Sequence, residues 1–274
     1  MYFKIKKMIN IKDLHPIDIE LIRLGKDNDG GYVIPKIIIK KSDGVLSYGI
    51  NKDWSFENDF YKKNKVNIHC YDHSAKLFSF FKYSIKCIFL SFLYLIILDR
   101  KRLYRSFNGI NIIYKYFSFF NDKIVHFKKR IWINNKNENI KISDTIDRAI
   151  TLGLKNIFIK MDIEGDEYET LSYVLNYKKN IIGFVVEFHQ INKRSEEFNK
   201  ILNNLKSSFY IAHVHGNNYS KVDDVSNLPS SLEISFINKE RVNKPISKSK
   251  KTFPIIGLDQ PNKHSKPDIE LNFN

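Results

Sequence analysis

The sequence has 274 residues, of which 43% are hydrophobic and 14% aromatic, so it can build one sizeable core. A charged fraction of 27% argues against an integral membrane protein and against global disorder, and two cysteines, Cys70 and Cys87, exclude a disulfide scaffold. The net charge is +15, and residues 76–130 carry +10 of it, with twelve Lys or Arg against two acidic residues. Such an excess suits nucleic acid, a membrane surface or an anionic substrate.

The N-terminal segment, residues 1–40, is predicted to contain a hairpin. Asn28, Asp29, Gly30 and Gly31 form a strong turn signal between two apolar runs. The first residues are basic but lack the apolar core of about 7–15 residues that marks a secretory signal. The expected compartment is therefore the cytoplasm.

Residues 41–238 show short apolar runs that alternate with segments of helical period. This rhythm predicts parallel βαβ units and an α/β fold with an open, doubly wound sheet. The last segment, residues 239–274, holds four of the seven prolines and is predicted to be an extended tail that wraps the surface. The predicted strands are 44–48, 66–71, 124–133, 156–161, 181–188, 209–214 and 232–237, and the predicted helices are 55–65, 143–152, 167–175 and 195–205.

Residues 77–120 interrupt this rhythm with an apolar, aromatic and basic stretch, which predicts a helical insertion over the carboxyl edge of the sheet. The main expectation is a buried helical pair that enlarges the core. The alternatives are a basic, aromatic platform that meets an anionic membrane surface, and a transmembrane helix. The uninterrupted apolar stretch from Cys87 to Leu98 has only 12 residues, which is too short to cross a bilayer.

Two residues at predicted strand ends suggest a nucleotide-type site. Ligands of doubly wound sheets bind beyond the carboxyl ends of the strands. Gly49 follows the first strand and lets a ligand approach the backbone, and Asp72 ends the second strand, where a carboxylate can accept hydrogen bonds from ribose hydroxyls. A tight turn and a surface acid would produce the same pattern.

Acidic and histidine side chains follow the later strands. Asp162 comes directly after a strand, while Glu187 and His189 share one face because side chains alternate along a strand. His215 ends the strand after that. The four residues could bind a divalent metal or act as a general base. Each of them taken alone could equally be a hydrogen-bonded core residue or a surface residue.

Ordered blocks across residues 17–271, apart from 77–120, resemble the FkbM-type family of S-adenosylmethionine-dependent methyltransferases. The blocks are RLGKDNDGGYVIP, LSYGINKDWSFE, YDHS, FIKMDIEGDEYETL, FVVEFH, HVHGNN, SLEISF and LDQPNKHSKPDIELNF. The resemblance implies a class I methyltransferase (Rossmann-like) fold, with a mostly parallel seven-stranded sheet whose last strand is reversed. By matching position, it implies that Ser47, Tyr48 and Gly49 form the loop on the methionine side of the cofactor. Asp72, with His73 beside it, would hold the ribose, and Asp162 would lie near the sulfonium.

The function that this resemblance implies is O-methylation of a sugar hydroxyl of a surface glycan or its precursor, with S-adenosylmethionine as cofactor. Asp162, Glu187, His189 and His215 are the candidate catalytic residues, and also the candidate ligands of Mg²⁺ or Mn²⁺. The enzyme would be cytoplasmic, at the inner face of the membrane if residues 77–120 make a peripheral contact there. Its oligomeric state stays open.

Two other functions remain as alternatives. One is a non-catalytic nucleotide-binding or scaffold protein of the same fold. The other is an RNA methyltransferase that uses the basic insertion. The aliphatic content of that insertion and the lack of a recognised RNA-binding motif disfavour nucleic acid as a partner.

Overall fold

The computed structural model describes residues 9–243 and 245–273; the basic start at 1–8 lies outside the described residues. The strands are β1 Leu21–Leu24, β2 Tyr32–Pro35, β3 Gly44–Tyr48, β4 Asn67–Tyr71, β5 Ile124–Phe127, β6 Arg130–Trp132, β7 Asn139–Lys141, β8 Ile157–Met161, β9 Ile181–Phe188, β10 Phe209–Gly216 and β11 Leu232–Asn238. The α-helices are α1 Lys36–Lys41, α2 Ser55–Lys63, α3 Leu77–Ile96, α4 Arg100–Ile110, α5 Ile112–Phe119, α6 Ile142–Thr151, α7 Glu167–Thr170 and α8 Ser195–Lys206, with short 3-10 turns at Ile11–Leu14, Leu171–Tyr177 and Lys239–Arg241.

Seven strands form the central sheet in the order β10-β11-β9-β8-β3-β4-β5. Pairing is parallel from β9 to β5, and β11 runs antiparallel to both β9 and β10. The parallel strands β3, β8 and β9 are buried along their whole length because helices cover both faces. The predicted doubly wound sheet with one reversed strand is therefore confirmed, and the fold is the class I methyltransferase arrangement.

Two hydrophobic clusters pack against the two faces of this sheet. Successive residues of β8 show the alternation: Ile157 and Ile159 point into one cluster, and Phe158 points into the other. The first cluster includes the inner faces of α6 and α8, whereas the second includes those of α1, α2 and the β1–β2 hairpin. The core thus has three layers, as a parallel sheet requires.

One predicted strand is shorter than expected. The third predicted strand spans 124–133, but β5 ends at Phe127. There the backbone amide of Lys129 donates a hydrogen bond of 2.7 Å to the Phe127 carbonyl, which turns the chain. The remainder forms β6, which pairs in parallel with β7 outside the main sheet. The three basic residues 128–130 are solvated rather than buried, so they end the edge strand.

The insertion differs from the buried helical pair that the sequence favours. It forms three helices, α3, α4 and α5, and α3 buries only one stripe, made of Phe80, Ser84, Cys87 and Ser91. Most of its other apolar residues are exposed, because the segment is apolar around most of its circumference and its neighbours cover one side alone. By length and composition α3 is also the one helix among the described residues that could cross a membrane.

The tail is anchored to the core rather than only lying on the surface. Phe253, Leu271 and Phe273 are buried in the first cluster, and Phe273 stacks on His15 with ring centroids 5.6 Å apart. Most of the tail lacks regular structure, as its prolines predict. Its polar side chains reach β10 and β11, and they therefore become part of the site region.

Candidate active site

A cavity of about 1360 Å³ opens at the carboxyl ends of β3, β4 and β8. Gly49, Asp72 and Asp162, which follow these three strands, line its inner wall. The N-terminal turn contributes Asp29 and Gly30, and α3–α5 close the outer side. Its position is the one that the sheet topology predicts for a ligand, because parallel strands present their carboxyl ends at one edge.

Gly49 makes the closest backbone approach in this cavity. Its φ is +80°, in the left-handed region, and a Cβ atom built there would lie 1.7 Å from the Asp162 carbonyl oxygen. The Gly49 amide donates to the Tyr71 carbonyl at 3.0 Å, and the Asp162 amide donates to the Tyr48 carbonyl at 2.9 Å. Only glycine fits between the loops after β3 and β8.

Left-handed backbone recurs in the loops around the cavity. Asn51 after β3, Glu164 after β8 and Gln190 after β9 have φ values of 42°, 58° and 55°. Non-glycine residues seldom adopt this conformation, and it clusters at functional sites where the surrounding contacts hold it. The strand-end loops therefore carry backbone strain on the side where the predicted site residues lie.

Asp72 uses both carboxylate oxygens to hold two loops together. Oδ2 accepts from the amides of Ile50 and Asn51 at 2.9 and 2.7 Å, and Oδ1 accepts from the amide and hydroxyl of Ser74 at 2.6 and 2.7 Å. Burial would raise the pKa of Asp72, but these hydrogen bonds hold it below its ordinary value. His73 lines the cavity beside it. Asp72 thus shapes the loop that a ribose would meet, and its direct contact with a ribose stays a prediction.

Ser47 and Tyr48 lie next to Gly49 but turn their side chains into the core. The Ser47 hydroxyl donates to Glu57, and the Tyr48 hydroxyl pairs with that of Thr145 at 2.7 Å. Both residues are fully buried. Neither residue lines the cavity, and their place in the cofactor loop stays a prediction.

A buried lysine supports this loop from below. Lys160 donates from Nζ to the Gly49 carbonyl oxygen and lies 4.0 Å from Glu57. Burial would lower the pKa of Lys160, but Glu57, Asp162 and Asp53 raise it, so the ammonium stays charged. Burial also raises the pKa of the Glu57 carboxyl. This pair was not predicted, because nothing local marks a lysine within an apolar strand as a loop support.

Asp162, Glu187 and His189 meet as predicted, together with Glu164 and Glu167. Nδ1 of His189 is 3.0 Å from Glu167, and Nε2 lies 3.6 Å from Glu187, 3.7 Å from Glu164 and 3.9 Å from Asp162. Glu167 was not among the predicted site residues, since an acid also suits a helix N-terminus. It is fully buried there, and it also accepts from the amides of Ile163 and Gly165.

The surrounding carboxylates decide the protonation of this cluster. Burial would lower the pKa of His189, but Glu167, Glu187 and Asp162 raise it to about 9. Burial, helped by Asp162 and Glu233, raises the pKa of Glu187 well above its ordinary value. The Glu187–His189 pair therefore holds a proton at neutral pH and titrates as one unit.

His215 lies apart from this cluster, between two other carboxylates. Nδ1 is 3.1 Å from Glu233 on β11, and Nε2 is 3.0 Å from Asp268 in the tail. Glu233 is also the register partner of Glu187, so Glu187, Glu233 and His215 form a row across three strands. The catalytic role predicted for His215 stays a prediction. Because a carboxylate lies beside each ring nitrogen, a positively charged His215 would link the tail to the sheet.

The charge of His215 predicts a pH-dependent stability. Burial would lower the pKa of His215, but Glu233 and Asp268 raise it to about 10. Charged His215 therefore contributes its full stabilisation of the fold below about pH 6.5, and this contribution is lost as pH rises through about 10. We expect His215→Gln to lower the free energy of unfolding by several kcal/mol at pH 6 and by much less at pH 10.

Denaturant unfolding at both pH values measures this difference. The exposed His264→Gln variant controls for loss of a histidine elsewhere in the tail, and it should unfold like the wild type at each pH. If His215→Gln lowered the free energy of unfolding equally at pH 6 and pH 10, the result would contradict a charged His215.

The outer part of the cavity has a polar lining whose residues were not among the predicted site residues. Asp29, Tyr219 and Asn262 line it, and Asn262 donates to Glu233 at 2.6 Å. Burial, with Asp162 and Glu233 nearby, raises the pKa of Asp29. These residues lie far apart in the chain, so no sequence spacing marks them as one surface.

No protein-family model matches this chain, and the comparison with curated proteins finds no match. Among solved structures, human methyltransferase-like protein 13 in complex with SAH is 12% identical, with 77% of this chain and 79% of that chain covered and a TM-score of 0.38. StiE O-MT is 9% identical over 74% and 70%, with a TM-score of 0.37. The plantazolicin methyltransferase BpumL in complex with SAH is 9% identical over 74% and 79%, with a TM-score of 0.33. This similarity is remote, and the class I methyltransferase fold rests on the strand order.

Proposed function

We propose that the protein is an S-adenosylmethionine-dependent O-methyltransferase that acts on a sugar hydroxyl of a surface glycan or its precursor. The observation that carries the proposal is the cavity where Gly49, Asp72 and Asp162 meet beyond β3, β4 and β8, beside the proton-holding Glu187–His189 pair. The FkbM-type blocks supply these same residues, and they support the choice of a hydroxyl acceptor.

A sugar acceptor agrees with the outer lining of the cavity. Asn28, Asp29 and Asn262 offer amide and carboxyl groups to hydroxyls, and Tyr219 offers an aromatic ring to the apolar face of a sugar. These groups suit hydroxyls because a carboxylate accepts hydrogen bonds from them and an amide both donates and accepts. The acceptor would enter from this side and reach Asp162.

Bound S-adenosylmethionine would supply an activated methyl group on a sulfonium, and the side chains of this chain must place the acceptor and remove its proton. During transfer the acceptor hydroxyl would lose its proton to the Glu187–His189 pair, which must first be deprotonated to accept it. Asp162 lies between Gly49 and this pair, and its carboxylate would orient the hydroxyl. Tyr32 donates to Asp162 at 3.0 Å and holds it in that position.

A divalent metal is the alternative way to lower the pKa of the hydroxyl. Donor atoms of Asp162, Glu164 and His189 all lie within 4.8 Å of one another. Among the described residues, Oε2 of Glu167 is buried and has no hydrogen-bond partner, which leaves a donor beside them. Carboxylates with one imidazole suit Mg²⁺ or Mn²⁺. These residues fit such an ion, which would act as a Lewis acid on the acceptor oxygen.

Transfer of a labelled methyl group tests the proposal. With methyl-labelled S-adenosylmethionine and glycan precursors, we expect label in an alkali-stable methyl ether on sugar. Activity that survives a chelator supports the Glu187–His189 pair as base, and activity lost to the chelator and restored by Mg²⁺ or Mn²⁺ supports the metal. Label recovered on RNA or protein but not on sugar would contradict a sugar acceptor.

A further inference from the structure

The outer face of α3 is an exposed apolar surface of unusual extent. Phe78, Phe81, Ile85, Phe89 and Ile96 lie on it, and the exposed fractions of Phe78, Phe89 and Ile96 are 67%, 70% and 77%. Spacings of three, four and seven residues place them along one side of the helix. Exposed patches of this kind mark sites of protein or membrane contact.

The surroundings of this face are strongly basic. Lys82 and Lys86 flank it on α3, and Arg100 and Lys101 follow at the start of α4. The Lys82 ammonium lies over the Phe78 ring, 4.5 Å from its centre, so a cation borders the apolar face. Residues 76–130 carry a net charge of +10. The surface therefore offers apolar bulk with cations at its borders.

We propose that the outer face of α3 lies on an anionic lipid bilayer, parallel to its surface. Aromatic and aliphatic side chains would enter the region between headgroups and acyl chains, while the flanking cations meet anionic headgroups. A second copy of this chain is a poorer partner for the face, because it would bring two segments of like charge together.

The packing of α3 favours this in-plane position over a transmembrane one. Its inner stripe, Phe80 to Ser91, contacts protein along most of the helix: the Ser84 hydroxyl donates to the Ile110 carbonyl at 3.0 Å, and the Ser91 hydroxyl pairs with that of Ser106 at 2.8 Å. Phe80 also packs on Trp54, with ring centroids 5.9 Å apart. A helix bound to its own domain along one side can present only the opposite side to lipid.

The contact would place the cavity beside the membrane. Tyr83 of α3 and Arg105 of α4 line the cavity, on the same subdomain whose outer face would meet lipid. This step rests on the proposed function: the methyl acceptor would be a glycan carried on a lipid, and its sugar would lie at the level of the headgroups. The membrane contact itself does not depend on that activity.

Sedimentation with vesicles tests the contact without measuring methyl transfer. We expect the full chain to pellet with phosphatidylcholine–phosphatidylglycerol vesicles and much less with phosphatidylcholine alone. Ile96→Ser should weaken partitioning about tenfold, because it removes a buried aliphatic group from the bilayer. Ile256→Ser is the matched control, since Ile256 is 96% exposed in the tail, and it should bind like the wild type.

A second pair of variants separates charge from apolar contact. Lys101→Gln should weaken binding to anionic vesicles about fivefold, and Lys40→Gln, on the exposed side of α1, should not. Circular dichroism checks that all four variants fold. Equal pelleting with neutral and anionic vesicles, or none with either, would overturn the proposal. A lipid-independent dimer that Ile96→Ser dissociates would overturn it in favour of self-association. If pelleting succeeds while no methyl transfer is found, the proposed function fails and the membrane contact stands.

Discussion

Gly49→Ala is expected to abolish cofactor binding and to destabilise the fold. Its φ of +80° costs a residue with a Cβ atom about 1–2 kcal/mol, and the new methyl group would collide with the Asp162 carbonyl. To relieve that collision, the loop after β3 must move away from the loop after β8. We therefore expect a loss of about 3 kcal/mol or more in the free energy of unfolding, and affinity for S-adenosylmethionine at least about a hundredfold weaker.

Gly153→Ala provides the matched control. Gly153 has φ +89°, but nothing lies within 4 Å of the position that a Cβ atom would take, so this variant measures the backbone cost without a collision. It should lose about 1–2 kcal/mol and bind the cofactor normally. Calorimetric titration and denaturant unfolding provide both numbers. Equal effects of the two substitutions would contradict the close approach of the two loops.

His189→Gln is expected to lower turnover about a hundred- to ten-thousandfold, while cofactor affinity changes little. The Glu187–His189 pair can accept the proton of the acceptor hydroxyl only after it has lost its own proton, and the neighbouring carboxylates raise the pKa of His189 to about 9. Wild-type turnover should therefore rise about tenfold per pH unit from pH 7 towards pH 9. His189→Gln should lose that rise, because the titrating group is gone.

His213→Gln serves as the control for this experiment. Like the half-buried His189, the buried His213 lies beside a carboxylate, with Nε2 3.1 Å from Asp259, but it lies outside the cluster. Its loss should lower stability and leave turnover per folded molecule and the pH profile unchanged. A wild-type rate that is flat between pH 7 and pH 9, or a His189→Gln enzyme that keeps the rise, would contradict the base role.

The strands and their ends were accessible from the sequence because both follow from local pattern, whereas the reversed last strand was expected only from the resemblance. Apolar runs such as 157–161 and 181–188 could only be buried strands between helices, and the residue after each run had to lie at the carboxyl edge. Asp162, Glu187 and His189 could therefore be brought together from the sequence alone. The residues that support the Gly49 loop could not be predicted in this way, because the Lys160–Glu57 pair depends on tertiary packing.

The insertion shows a second limit of sequence patterns. An apolar helix with serines at Ser84 and Ser91 is equally compatible with a core helix and with a surface helix. Which of the two forms depends on how many sides the neighbouring helices cover. Here α4 and α5 leave one broad side of α3 uncovered, and burial in the core was the wrong expectation. The tail sets a third limit, since Asp268 reaches His215 across more than fifty residues.

Direct titration of the wild-type protein with S-adenosylmethionine tests the central claim most directly, namely that the cavity beyond β3, β4 and β8 is a cofactor site. We expect saturable one-to-one binding that S-adenosylhomocysteine displaces and that Gly49→Ala removes while Gly153→Ala keeps it. No heat of binding and no displacement, from protein that circular dichroism shows to be folded, would contradict the claim and favour a non-catalytic protein of the same fold.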